Sequence, residues 1–165
     1  MKITTADLAF SLCVRERSNW TCERCGTQYM PPTKALQCSH YFSRDNKSVR
    51  VYPDNAFANC NGCHSHLGSN PHYFKEFVLG ILGEERYDRL VTVSNQSATY
   101  GKLWKHEQKE IARHYRAEYE RMKIAREGGF IGRLEFTAYK AECIAKGNIL
   151  SNVQKNTEKK WKTGL

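Results

Sequence analysis

Two Cys-x-x-Cys pairs, Cys22/Cys25 and Cys60/Cys63, stand with 34 residues between them. Four thiolates at this spacing suit one tetrahedral structural zinc, with Zn–S bonds of about 2.3 Å. A free set of buried cysteines is the plain alternative. A redox pair fits poorly, because no βαβ pattern surrounds either motif. The chain has seven cysteines, an odd number, and no secretory signal, which favours metal over disulfides.

The segments around the cysteines define the rest of the fold. Residues 4–18 carry Leu8, Ala9, Leu12 and Cys13 at helical spacing, with Thr4 or Thr5 as N-cap. "CERCG" reads as a zinc-knuckle turn, with Gly26 allowing the tight backbone. "ALQCSHYF" (35–42) and "AFANC" (56–60) read as the strands of a hairpin, joined by a long polar loop. A short helix from about Asn61 to Leu67, ended by Gly68, follows directly. Asn70 and Pro71 look like the N-cap and first residue of a further helix. "EERYDRLVTVSNQ" reads as another, and residues 102–127 as a long charged helix stopped by Gly128 and Gly129. "LEFTAYKAECIAKGN" reads as one more helix, and the last fifteen residues as a basic tail. The fold class is α+β, with a zinc-stapled head over 1–100 and a basic helical extension over 101–165.

No apolar run reaches the roughly 20 residues of a membrane span. The first twenty residues read as an amphipathic helix and not a signal peptide, so a cytoplasmic protein is expected. The net charge is +9, of which residues 1–100 carry +2 and the rest +7. A basic arm on a nearly neutral head suggests a polyanion partner, most simply nucleic acid; a solvated surface is the alternative.

If the cysteines saturate one zinc, His64 and His66 are left over. Asn55 stands before His64, and His40 before Asn55. This His–Asn–His order on strand, loop and helix resembles the HNH nucleases and their ββα-metal fold. The resemblance implies that His40 activates water, Asn55 orients His40, and His64 on the helix holds a divalent metal. Such chemistry needs a base near neutral pKa and a cation on the scissile phosphate. The ordered series "CERCG…CSHYFSR…VRVYPDNAFANCNGCHSHLGSN…YFKEFVLGILGEERYDRL" is similar to the NinG (Rap) family of phage recombination nucleases, over roughly residues 6–125. That family implies a metal-dependent endonuclease acting on branched DNA, including Holliday junctions, in the cytoplasm of an infected bacterial host.

Two departures stand out. Many HNH enzymes carry an acidic ligand just before the base, where this chain has Ser39. His64 stands where the NinG pattern has Asn, which favours Mn²⁺, Ni²⁺ or Zn²⁺ over Mg²⁺. His66 matches the family's second histidine and otherwise reads as a surface residue. Arg44, Arg50 and Lys47 flank the site as phosphate clamps or as solvated cations. A homodimer, with the 102–127 helix as its seam, would hold two duplex arms. The alternatives are an HNH nickase without junction preference and a zinc module that binds nucleic acid without cutting it.

Overall fold

The computed structural model describes residues 2–96 and 104–140. The expected tail, Cys143 and the end of the "LEFTAYKAECIAKGN" segment lie outside the described residues. The architecture is mixed α+β: one two-stranded antiparallel sheet with helices on both of its faces.

Helix α1 spans Thr5–Arg17. Thr4 caps it through a reciprocal box: the Asp7 amide donates to Thr4 Oγ1 at 3.3 Å, and the Thr4 amide to Asp7 Oδ2 at 2.8 Å. The inward stripe is Ala6, Phe10, Cys13, Val14 and Arg17. Leu8, expected on the apolar face, points outward at 59 % exposure, because Asp7 beside it turns in to meet Arg50. Asn19 and Trp20 adopt left-handed φ values of 53° and 56° and turn the chain into the cysteine knuckle.

Strand β1 (Leu36–His40) pairs with β2 (Ala56–Cys60) in the register Leu36↔Cys60 through His40↔Ala56. Alternation sends Leu36, Cys38, Ala56 and Ala58 to one face, against α1. Phe57 goes to the other, against α2 (Asn61–Ser69) and α3 (Pro71–Ser94) through Leu67, Phe74 and Val78. Helix α2 runs two residues longer than expected, so Gly68 does not end it. The two helices expected over 71–96 are both present within the α3 span, separated at Gly83, whose non-helical φ of 71° and ψ of 169° suit glycine.

Helix α4 (Gln108–Glu127) packs Ile111, Ala112, Tyr115 and Met122 against α1. The boundary expected at residue 100 therefore does not divide the core: residues from both sides of it share one cluster. The seam assigned to this helix also faces inward, leaving Ile124 as its exposed large apolar residue. Beyond Gly129 the chain doubles back without helix over 130–140, correcting the helix expected from Leu134. Leu134 N–H donates to the carbonyl of Arg17 at 3.0 Å, and Phe136 stacks edge-on with Phe10 and Tyr115. Among the described residues, no helix is long and apolar enough to cross a membrane.

Candidate metal centre and histidine site

The four cysteine sulfurs converge at one end of the hairpin. All lie within 4.8 Å of one another, and the Cys25 and Cys60 sulfurs are 3.9 Å apart. A tetrahedron with Zn–S bonds of about 2.3 Å puts its sulfurs about 3.8 Å apart, so the donors fit that ion. Local structure builds the cage. The Thr21–Gln28 bridge closes the knuckle, and Gly26 at φ 75° lets its amide reach the Cys22 carbonyl. Cys60 is both donor and N-cap of α2, since its sulfur accepts from the Cys63 amide at 3.5 Å. The Cys60 amide in turn donates to Cys22 Sγ at 3.3 Å. Amides aimed at sulfurs favour thiolate, the form that binds metal. Bound there, zinc would be held by Cys22, Cys25, Cys60 and Cys63 and would cross-link the knuckle to the β2–α2 junction.

Glu23, inside the first motif, is tied into the same junction. Its amide donates to the Ala58 carbonyl at 2.7 Å, and its Oε2 accepts from the Ala58 amide at 2.7 Å. The Arg17 guanidinium, fully buried, donates to Glu23 at 3.1 Å and to the carbonyls of Pro53 and Ala56 at 2.9 and 2.5 Å. Arg133 closes on the other Glu23 oxygen. Burial, against the cation, pulls the Arg17 pKa down to about 10, so it still carries its charge at neutral pH. This buried network went unread in the sequence. Arg17 sits in a charged Arg-Glu-Arg run at the end of α1, and an Arg there resembles any solvated cation in sequence.

The histidines occupy the opposite end of β1. His40 Nε2 lies 2.9 Å from the Arg50 carbonyl, and Arg44 Nε is 3.4 Å from Nδ1. A carbonyl only accepts, so Nε2 carries the proton and Nδ1 presents its lone pair. Burial first, and the Arg44 guanidinium second, push the His40 pKa down to about 4. The ring is therefore neutral at physiological pH.

Asn55 is fully buried but is not bonded to the His40 ring. Its Oδ1 accepts from Phe42 N–H at 2.8 Å, and its Nδ2 donates to the carbonyls of Phe42 and Val49 at 3.0 and 2.9 Å. Its own carbonyl accepts from Tyr41 N–H. Asn55 thus fixes the loop whose next carbonyl, that of Arg50, holds His40. It supports the His40 ring through the loop backbone, not by touching it.

His64 Nδ1 lies 2.9 Å from Ser39 Oγ, which joins α2 to the strand residue beside the base. Burial and Arg44 both depress its pKa. His66, two residues on, is turned about 200° around the helix. It faces Tyr73, with ring centroids 5.8 Å apart, and does not join His64. Lys47 is half-buried and donates to the Arg44 carbonyl at 3.4 Å.

Arg50 is the clear correction. It is 2 % exposed, donates twice to Asp7 at 2.8 and 2.7 Å, and lies 4.4 Å over the Trp104 ring. Burial opposes the Asp7 charge, yet the Arg50 and Thr4 hydrogen bonds hold its carboxyl below the ordinary range. Arg50 is scaffold: it anchors the loop to α1 and cannot reach a phosphate from there. Its partner Asp7 showed in the sequence only as a helix-start acid.

A divalent catalytic cation fits this end poorly. Among the described residues, the four cysteines alone bring three or more His, Cys, Asp or Glu donors together. At the histidine end, His40 Nε2 is taken by a carbonyl, His64 Nδ1 by Ser39, and the Arg44 guanidinium stands beside His40 Nδ1. Hard cations such as Mg²⁺ need oxygen ligands, above all carboxylates, and the carboxylate that acts on His40, Asp7, is taken by Arg50. No protein-family model, curated protein or solved structure matches this chain.

Proposed function

We propose that β1, β2 and α2 form an HNH-type ββα nuclease core and that the chain hydrolyses DNA phosphodiesters. The observation that carries this reading is His40: a neutral imidazole, its proton fixed on Nε2 and its Nδ1 lone pair set beside a guanidinium at the end of a strand. A neutral imidazole can accept a proton, but burial and the Arg44 charge hold its pKa at about 4, below the near-neutral range in which a general base works best. The strand–strand–helix order and the Ser39–His64 contact support it, since they bring a helix histidine against the strand next to the base. His40 accepts the proton of the attacking water, Asn55 holds the loop that orients it, and Arg44 neutralises the phosphate. The resemblance to NinG nucleases makes branched DNA, as in phage recombination, the preferred substrate.

The competing reading is a zinc module that binds nucleic acid without cutting it. Ser39, standing where HNH enzymes carry an acid, favours that reading. A supercoiled-plasmid nicking assay with zinc-loaded protein separates the two. Nicking lost in His40→Ala supports the nuclease; DNA binding without any nicking supports the module. Comparing a four-way junction with linear duplex then tests the branched-DNA preference.

A further inference from the structure

Arg44 is loosely held at both its backbone carbonyl and its guanidinium. Its carbonyl accepts from Lys47 Nζ and Arg50 Nη1, each at 3.4 Å, and Arg50 is itself locked to Asp7. Its guanidinium makes two long contacts, to His40 Nδ1 and to the Cys38 carbonyl, again each at 3.4 Å. Those are at the weak limit of hydrogen bonding. The two arginines of this loop therefore divide the work. Arg50 is buried and doubly bonded at short distance; Arg44 is half-buried, loosely bonded and beside the base.

We propose that Arg44 supplies the positive charge on the scissile phosphate at the His40 site, in place of a divalent cation. This rests on the nuclease reading above and puts Arg44 where the HNH resemblance implies a divalent metal. The donor set argues for it. Ser39 brings a neutral hydroxyl where an acid would draw a metal, and His64 already bonds that hydroxyl. A dication at His40 Nδ1 would also sit against the Arg44 guanidinium, whose Nε is 3.4 Å from that nitrogen. A phosphate, by contrast, is what a guanidinium fork binds best.

The same contact lets substrate uncover the base. In the free protein Arg44 covers the Nδ1 lone pair. An arriving phosphodiester draws the guanidinium onto its oxygens and frees Nδ1 for water. Water then attacks phosphorus and its proton passes to Nδ1. The P–O ester bond breaks with its electron pair on the leaving oxygen, which takes a proton from solvent. His40 returns its proton to solvent, so one water is consumed and nothing else changes.

The test uses full-length protein with its zinc content verified, in buffer passed over chelating resin. Wild type is expected to nick plasmid at a rate within about twofold with or without added Mg²⁺ or Mn²⁺. Calorimetric titration with Mn²⁺ should show no stoichiometric site. Arg44→Gln should lose about 10²–10³-fold in rate, as when a preorganised charge-stabilising donor is removed. Arg44→Lys should recover part of that loss, and both variants should melt like wild type. Nicking that requires Mn²⁺, with Mn²⁺ binding one site, would overturn the proposal and leave the nuclease reading standing. So would an Arg44→Gln protein that cuts like wild type. Absence of nicking under every condition would overturn both.

Discussion

The two ends of the β1–β2 pair, four residues or about 14 Å apart, are built on opposite terms. At the Leu36↔Cys60 end, four soft donors converge within 4.8 Å, each supplied by a turn or helix start that amide–sulfur contacts shape. That end satisfies a tetrahedral ion completely and has no position left for substrate. At the His40↔Ala56 end, two imidazoles, a hydroxyl and a guanidinium stand together without a closed coordination shell. The difference is between a cage of donors that fits one ion and a cluster of polar groups that closes on none. The cysteine end is complete within the protein, whereas the histidine end keeps a lone pair and a loosely bound cation in reserve. What joins the ends is buried polar structure: Arg17–Glu23 ties α1 and the knuckle to β2, and Arg50–Asp7 ties the active loop to α1.

The largest expected effect falls at the cysteine end. Structural zinc contributes about 10–16 kcal/mol in small zinc domains, comparable to the whole stability of a typical fold. Cys60→Ser should lose zinc and most of its cooperative melt, read by elemental analysis and circular dichroism. A zinc-free variant that melts like wild type would erase the distinction between the ends.

Next comes the link between them. Arg17→Met leaves Glu23 buried with only Arg133 as cationic partner, and breaking such a buried pair costs about 3–5 kcal/mol. Urea denaturation measures it; a change below about 1 kcal/mol would show that the network does not hold β2 to the knuckle. Asn55→Ala is expected to cost less, about 2–4 kcal/mol, by leaving buried amide and carbonyl groups of Phe42 and Val49 without partners. This variant sharpens the comparison, because it should disable the histidine end while retaining one zinc per chain.

The smallest effect is set by pH. The folded His40 pKa, about 4, lies below the ordinary 6.5, so the unfolded chain takes up a proton that the folded chain refuses. Above about pH 6.5 this group contributes nothing to the pH dependence. As pH falls from there toward 4 it removes stability, by at most about 1.4 kcal/mol per pH unit. His40→Gln should therefore lose less stability than wild type between pH 7.5 and pH 5, as urea midpoints would show. An equal loss would mean that His40 is not held neutral. Asp7, whose carboxyl is held below its ordinary range, stays ionised over this window.

The parts legible in the sequence were those governed by local rules. Strand β2, the Asn70–Pro71 helix start, the Gly26 turn and the four-cysteine cage each follow from a motif a few residues long. Long-range pairing was not legible. Arg50 looked like Arg44, and only Asp7, 43 residues away, separates their roles. Asn55 was singled out, but its bonds run to the loop backbone and not to the base. The 102–127 stripe was visible, but not that α1 covers it. The boundary between the two helices expected over 71–96 was legible, and it falls at Gly83, whose backbone is not helical.

The central claim is that the cysteine end holds and the histidine end cuts. The most direct measurement is plasmid nicking by His40→Ala that carries one zinc and melts as wild type does. The account predicts a rate lower by about 10²–10⁴-fold with DNA binding retained. Wild-type nicking by that variant would contradict it.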